Sequence, residues 1–387
     1  MLNKSSYVVR AAGCLFAAFA LVSLELSAQV PVVIQTNVTL RVMAANLTSG
    51  NNQRYESPGL DILKGLKPDI VALQEFNYAS TNGRGINTPA AIREMIDATF
   101  GTNFVYFRET NSGYAIPNGI VSRFPMLAGG SWVDSDTGVN DRGFAWAQID
   151  LPGTNDLYVV SVHLKASSGS SNESRRAAEA AEVSSLIQSN FPSNAWIIVA
   201  GDMNLHSEAE AAITTFRSFL GDSPVPTDAS AGGNPNTNEG RTERYDRVLA
   251  SFSLTNSLVP VAMPSQTFPN GLVFDSRVYT PLKDVAPVLV TDSGTNGMQH
   301  MGVVKDFEIS YSITNYLTVP APHLALRSPT VIVWQGLSNL IYTVQAKTNL
   351  SQPNWSTIGT VASSNGFFTF TNQNGSATQT FFRVRYP

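Results

Sequence analysis

Five short stretches hold the side chains that could do hydrolytic chemistry. In IIVAGDMNLH, residues 197–206, an apolar run meets Gly201, Asp202, Met203 and Asn204. Asp202 and Asn204 stand two apart, so an extended chain projects both to one side where the strand leaves the core. A carboxylate and an amide so placed can grip a water or hydroxyl and a phosphoryl oxygen. The same residue types also build ordinary turns, and the stretch alone leaves both readings open. In PDIVALQEF, residues 68–76, an apolar run ends in Gln74 and Glu75. A carboxylate there suits a hard divalent cation, typically magnesium, which takes oxygen ligands and keeps several waters. An exposed glutamate closing a strand is the plainer explanation. VVSVHLKA, residues 159–166, sets Ser161, His163 and Lys165 opposite Val160, Val162 and Leu164. That makes His163 either a site residue or a histidine on the wet face of an edge strand. The fourth stretch is YDRVLAS, where Asp246 enters a strand, and the fifth is NGMQHMGVVKDFEI, which carries His300.

Other hydrolytic chemistries fail on pattern. No Gly-x-Ser-x-Gly elbow is present for a serine nucleophile, and no His-Glu-x-x-His for a zinc site. Cys14 is the one cysteine among 387 residues, which leaves no thiolate chemistry beyond it and no disulfide. With 25 Lys and Arg against 29 Asp and Glu, no bulk positive field holds a polyanion. Any phosphate ligand must be gripped locally.

The elements that would position these residues are legible as apolar runs. VTLRVMAANL, PDIVALQEF, GIVSRF, FAWAQIDL, DLYVVSVHL, AWIIVAGDMN, RYDRVLAS and MGVVKDFEIS read as strands. Between them GLDILKGLK, TPAAIREMIDATF and NESRRAAEAAEVSSLIQSN read as helices, the second opening on Thr-Pro. Interleaved over 38–313 they predict a layered α/β domain. Residues 221–244 and 281–298 read as long irregular loops, a linker is expected at 314–323, and 324–387 as a small all-β sandwich. There Trp334 and Trp355 are expected in the core rather than as ligand platforms. At the N-terminus Lys4 and Arg10 precede AAGCLFAAFALVSL, then ELSA before Gln29. Residues 1–28 are thus expected to be a signal peptide, cleaved near Ala28, because the apolar run falls short of the roughly 20 residues a spanning helix needs. The expectation is an exported protein, secreted, periplasmic or on the cell surface, with no membrane span after cleavage.

Taken together, the order carboxylate, histidine, Asp-x-Asn, Asp, histidine, with Asn46 in RVMAANLTSG, resembles the endonuclease/exonuclease/phosphatase superfamily over about 38–310. The resemblance implies an α/β four-layer sandwich, two mixed sheets flanked by helices, and divalent-metal phosphoester hydrolysis. Magnesium is the implied ion, with manganese or calcium as alternatives. Asn46 and Glu75 would lie beside the metal, His163 would bond the scissile phosphate, Asp202 would orient or deprotonate the attacking water, and Asn204 would hold a phosphate oxygen. Asp246 would support the site or a neighbouring histidine, and His300 would act in acid–base or phosphate-contacting chemistry. By the same resemblance Asn118 and Arg142 are phosphate-side contacts. The loop cations Arg84, Lys165, Arg175, Arg176, Arg241 and Arg244 are candidate phosphate contacts or solvated side chains, Arg241 being taken as a substrate contact. The implied substrate is a phosphate ester, nucleic acid first, acted on by a monomer with no stable protein partner. A small-molecule or phospholipid phosphoesterase, and a degenerate domain that binds without cleaving, are the alternatives.

One departure from the family pattern stands out. The residue before the last histidine is usually aspartate there, and here it is Gln299. A glutamine accepts a hydrogen bond but cannot stabilise an imidazolium. Three readings follow: an active site with a less basic His300, a replacement carboxylate from Asp284 or Asp292, or a retired site.

Overall fold

The computed structural model describes residues 7–12, 28–49, 53–78, 87–111, 115–135, 142–153, 155–319, 323–328, 330–373 and 379–385. The chain divides into a unit of Thr36–Tyr311 and a second made of Met1–Gln35 with Ser312–Pro387.

Two sheets build the larger unit. One has the order Leu220–Gly221, Asp246–Ser251, Trp196–Asp202, Leu157–His163, Phe144–Ile149, Met126–Trp132. The other runs Leu258–Val259, Gly302–Val319, Ala28–Ala45, Ile70–Leu73, Gly119–Ser122, Val105–Arg108, with Leu272–Phe274 paired to Gly302–Val319. Both are mixed: the parallel pairs Val42↔Ile70 to Ala45↔Leu73 and Leu157↔Trp196 to His163↔Asp202 sit among antiparallel neighbours.

The central strands are apolar on both faces because each serves two cores. Val42, Ala44, Ile70 and Ala72 meet Ile198, Ala200, Val248 and Ala250 between the sheets. Their alternates Val160, Val162, Val199 and Leu249 pack under the helices Ser170–Asn190 and Ala211–Arg217. On the far side Met43, Ala45, Val71 and Leu73 pack under Ser57–Leu66 and Pro89–Thr99. Each such valine, leucine, isoleucine or methionine contributes about 1.5–3 kcal/mol on burial, so the four-layer order helix, sheet, sheet, helix is the arrangement that covers every apolar face. Thr88 starts the second helix by accepting a hydrogen bond from the Ala91 N–H at 3.2 Å. The helix Ala211–Arg217 was not expected from the sequence, and His163 lies on a central strand rather than an edge.

The smaller unit is all β. Tyr7–Ala12, Gln379–Arg385, Ile341–Lys347 and Ser356–Ala362 form one antiparallel sheet, and Ala325–Ser328, Val331–Gln335 and Phe367–Thr371 another. Ile332, Trp334, Tyr342, Val344, Phe368, Phe382 and Val384 make its core, with Trp334 stacked on Phe368, whereas Trp355 is only half-buried, outside that core, with Lys347 and Arg383 over its ring. The strand Gly302–Val319 continues through part of the stretch expected as a linker. Of the expected export signal, residues 1–6 and 13–27 lie outside the described residues, as do linker residues 320–322 and loop residues 79–86 with Arg84. Among the described residues no helix is long and apolar enough to cross a membrane.

Candidate active site

The strand ends that face one another across the two sheets deliver the site. From the six-stranded sheet come His163, Asp202 and Asp246, since the register sets His163 beside Asp202 and Asp202 beside Asp246. From the other sheet come Asn46, one residue past Ala45, and Glu75, two past Leu73, with His300 two residues before Gly302. Glu75 and, two residues past Asp202, Asn204 leave extended geometry to reach in, at φ 52° and 49°, and a non-glycine residue held there is a strained position supported by its surroundings. Gly201 has φ 141°, and a Cβ on it would stand 2.1 Å from the Val162 carbonyl oxygen and 2.6 Å from the Gln74 amide nitrogen. Only glycine allows the strand to turn Asp202 into the cleft.

Asp202 Oδ2 is the hub. It accepts from Asn46 Nδ2 at 3.1 Å and Asn204 Nδ2 at 3.1 Å, while His163 Nε2 lies at 3.3 Å and His300 Nε2 at 3.5 Å. Oδ1 accepts the Asn204 N–H at 2.9 Å. His300 Nδ1 faces Asp246 Oδ2 at 2.9 Å. Glu75 accepts from the Thr48 hydroxyl at 2.5 Å, Gln53 Nε2 at 3.0 Å and Asn46 Nδ2 at 3.4 Å. Arg142 borders the cluster: its Nη2 donates to the Leu164 carbonyl at 3.2 Å, the same oxygen that takes Asn204 Nδ2 at 3.0 Å.

Burial separates the two histidines. His163 is pushed well below the usual imidazole value, first by desolvation and then by the charges of Arg142 and His300, and so is neutral. At His300 burial works in the same direction, but Asp246 and Asp202 outweigh it and raise the ring to about 10. Asp202 is raised to about 6, by burial first and by Asp246, against the pull of His300 and its amide donors. The site therefore holds one neutral and one charged imidazole on a single carboxylate that is more basic than an ordinary aspartate.

A family model described as endonuclease/exonuclease/phosphatase family matches residues 60–264, more than half of the chain. The chain belongs to the endonuclease/exonuclease/phosphatase family. That stretch includes Glu75, His163, Asp202, Asn204 and Asp246 and stops short of His300. No functionally curated protein matches the chain in sequence. Among solved structures it is similar to an endonuclease/exonuclease/phosphatase from Beutenbergia cavernae, at 15% identity over 90% of this chain and 100% of that one, TM-score 0.47. The human Nocturnin catalytic domain matches at 15% over 74% of this chain and 98% of that one, TM-score 0.46. An AP endonuclease from Archaeoglobus fulgidus matches at 16% over 69% of this chain and 99% of that one, TM-score 0.43.

The family is one of divalent-metal-dependent hydrolytic phosphoesterases, and the residues present fit a hard cation. Asn46 Oδ1 is buried without a donor, beside the Glu75 carboxylate that Asn46 Nδ2 touches. An orphaned amide oxygen next to a carboxylate is a pair of oxygen ligands for such an ion. Asp202, Asp246 and His300 also bring one possible ligand atom each within 4.8 Å of one another. A metal among those three is disfavoured, because both ring nitrogens of His300 face carboxylates and a doubly protonated ring has no lone pair to give.

Not every expected residue reaches the cluster. The Arg241 guanidinium is held by Asp228 and by Asp275 at 3.1 Å, Arg244 by Asp222, Arg176 by Glu210 at 2.7 Å, and Arg175 by Asp134. These arginines brace loops. Asn118 lies beyond the hub, its Nδ2 donating to the Gly143 carbonyl at 2.7 Å. The carboxylates offered as replacements for the residue before His300 are elsewhere: Asp284 binds Ser265, and Asp292 takes the Leu289 N–H. Asp246 fills that role, so the glutamine at 299, exposed to solvent, leaves His300 fully supported. Sequence reading missed Thr237, whose buried hydroxyl accepts the N–H groups of Tyr245 and Asp246 while Asn238 bridges to His300. It also missed the rim beside His300, where the Tyr245 ring lies 5.9 Å from it and Glu243 joins Tyr245 to His206.

Proposed function

We propose that the protein is an exported, divalent-metal-dependent phosphodiesterase, a nuclease before any other. The observation that carries the reading is the convergence of Asn46, Asn204, His163 and His300 on Asp202 Oδ2. Export is supported by the charged and apolar N-terminal run.

Hydrolysis of a phosphate diester needs an activated water, a neutralised phosphoryl group and a stabilised leaving oxygen. Asp202 is the base: ionised at neutral pH and more basic than usual, it can take a proton from a water aligned by Asn204. The neutral His163 carries its single N–H on Nε2, which faces Asp202 Oδ2 at 3.3 Å and can donate to a phosphoryl oxygen bound beside it, while Nδ1, buried and without a partner, keeps the lone pair. His300 stays an imidazolium held by Asp246, supplying positive charge where charge builds on the phosphorus oxygens. Arg142 adds a second cation on that side. Asn46 and Glu75 would hold the divalent ion, which when bound supplies Lewis-acid neutralisation of phosphate charge.

The test incubates the chain from Gln29 with plasmid DNA, RNA and bis(4-nitrophenyl) phosphate, in magnesium and in chelator, beside His163→Ala. Metal-dependent cleavage that falls at least about 100-fold in the variant is expected, from the loss of one transition-state donor. Survival of all three substrates in magnesium would sink the reading.

A further inference from the structure

The residues of the site come from two sheets, and one buried carboxylate outside the site fastens those sheets together beside it. Glu109 follows the strand Val105–Arg108 of the seven-stranded sheet and is 1% exposed. Its Oε2 accepts the N–H of Asn118 at 2.7 Å and the N–H of Gly143 at 3.3 Å, and its Oε1 accepts the Ser131 hydroxyl at 2.5 Å. Asn118 leads into Gly119–Ser122 of the same sheet, whereas Ser131 belongs to Met126–Trp132 and Gly143 directly precedes Phe144–Ile149, both strands of the other. A second bond in the same knot, Asn118 Nδ2 to the Gly143 carbonyl, also crosses between the sheets.

Gly143 is the neighbour of Arg142, and Arg142 shares the Leu164 carbonyl with Asn204. From Glu109 to the hub the path is therefore Gly143, Arg142, Leu164, Asn204, each step a bond that is present. A buried carboxylate with no ion pair among the described residues is costly: burial raises its pKa to about 7 despite three donors. An apolar side chain would fill the space at lower cost, but could not fix three donors from two sheets.

We propose that Glu109 is a positioning residue, a clamp between the sheets that, with Asn118 as part of the same knot, sets Arg142 on the phosphate-facing side of the site. The proposal rests on the phosphoesterase reading above. It requires that Glu109 act by geometry and not by charge. Glutamine keeps an oxygen for both N–H groups and an amide that donates to the Ser131 hydroxyl, so Glu109→Gln preserves the clamp and Glu109→Ala removes it.

The experiment measures kcat/KM of the full chain on bis(4-nitrophenyl) phosphate with magnesium, for Glu109→Gln, Glu109→Ala, Arg142→Ala and the Glu109→Ala/Arg142→Ala double variant. Glu109→Gln is expected within threefold of wild type, Glu109→Ala and Arg142→Ala each down 10- to 100-fold, and the double variant within threefold of Arg142→Ala. If Glu109→Gln loses as much as Glu109→Ala, or if the two alanine losses multiply, the clamp is overturned. Should Glu109→Ala not fold, Ser131→Ala takes its place, with a smaller loss that must also vanish in the Arg142→Ala background. A wild type that cleaves no diester would defeat the phosphoesterase reading instead. The clamp is then judged on inorganic phosphate binding by calorimetry, where no binding, or equal binding by wild type and Glu109→Ala, overturns it.

Discussion

The strand Asp246–Ser251 carries two buried charges in succession, and their surroundings are built on opposite plans. Asp246 points between the sheets to His300; Arg247, on the other face, meets Asp222 at 2.8 Å on the helix side. Around Asp222 every acceptor is taken: Arg217 reaches it at 2.6 Å, Arg244 at 2.5 and 3.0 Å, and the Lys305 ammonium bonds its carbonyl at 3.4 Å. Around Asp246 acceptors are left over. Its own Oδ1 and Asn46 Oδ1 are buried without donors, and His163 Nδ1 has no partner. The brace leaves only a donor over, Arg247 Nε, and spends its acceptors on its own cations, whereas the site keeps acceptors for an ion, a water or a substrate.

Asp202→Asn should separate the two plans most widely. The base is lost, so kcat on the diester is expected to fall by about 10³ or more, while the amide removes a buried charge and leaves thermal stability equal or higher. Activity within tenfold of wild type would show that another group accepts the proton. Asp222→Asn should do the reverse. Three arginines lose their buried counter-charge, and unfolding in urea is expected to show about 3–5 kcal/mol less stability, with kcat of the folded fraction within twofold. The pH dependence follows from sign. Burial alone would raise the Asp222 pKa, but Arg244 and Arg247 outweigh it and hold it well below the unfolded value. Its stabilisation is thus complete above about pH 4, the unfolded range, and lost as pH falls through the lower folded value. Wild type and Asp222→Asn should converge in stability only in strong acid.

Asp246→Asn tests whether Asp246 acts through His300. Removing it takes away the larger of the two attractions that oppose burial at the ring. Histidine titration by NMR should then find His300 well below about 10, with kcat down roughly 10²-fold. A ring that stays protonated through pH 9 would assign its charge to Asp202 alone.

How much of this could be read from the sequence depends on the range of the interaction. Glu75, His163, Asp202 and Asn204 were visible because each sits at or just past the end of an apolar run, and runs of that kind mark buried strands locally. The layers followed for the same reason. What pairs with what was hidden. That Asp246 faces His300 is fixed by the register Asp202↔Asp246 and by the Asn238 bridge, contacts made across more than forty residues. Arg241 was taken as a substrate contact, and Arg244 as a phosphate contact or a solvated side chain, because a loop arginine gives no sign of the carboxylate waiting for it. Glu109, a lone acid after a short strand, carries no local mark of the three donors it gathers.

The smallest effect expected is at Gln299, whose place before His300 seemed to threaten the whole site. Two facts make the change slight. The imidazole already has both nitrogens engaged, Nδ1 at 2.9 Å from Asp246 and Nε2 at 3.5 Å from Asp202, and Gln299 is exposed, its side chain not among the ring's partners. A carboxylate added at 299 is screened by water and meets a ring that is charged at neutral pH without it. Gln299→Asp should therefore change kcat on the diester by less than about threefold, and leave the His300 titration where it is, as an exposed charge shifts stability or affinity by well under 1 kcal/mol. A rise of tenfold or more would mean that a carboxylate at this position reaches the reacting groups directly, and that Asp246 alone does not complete the histidine.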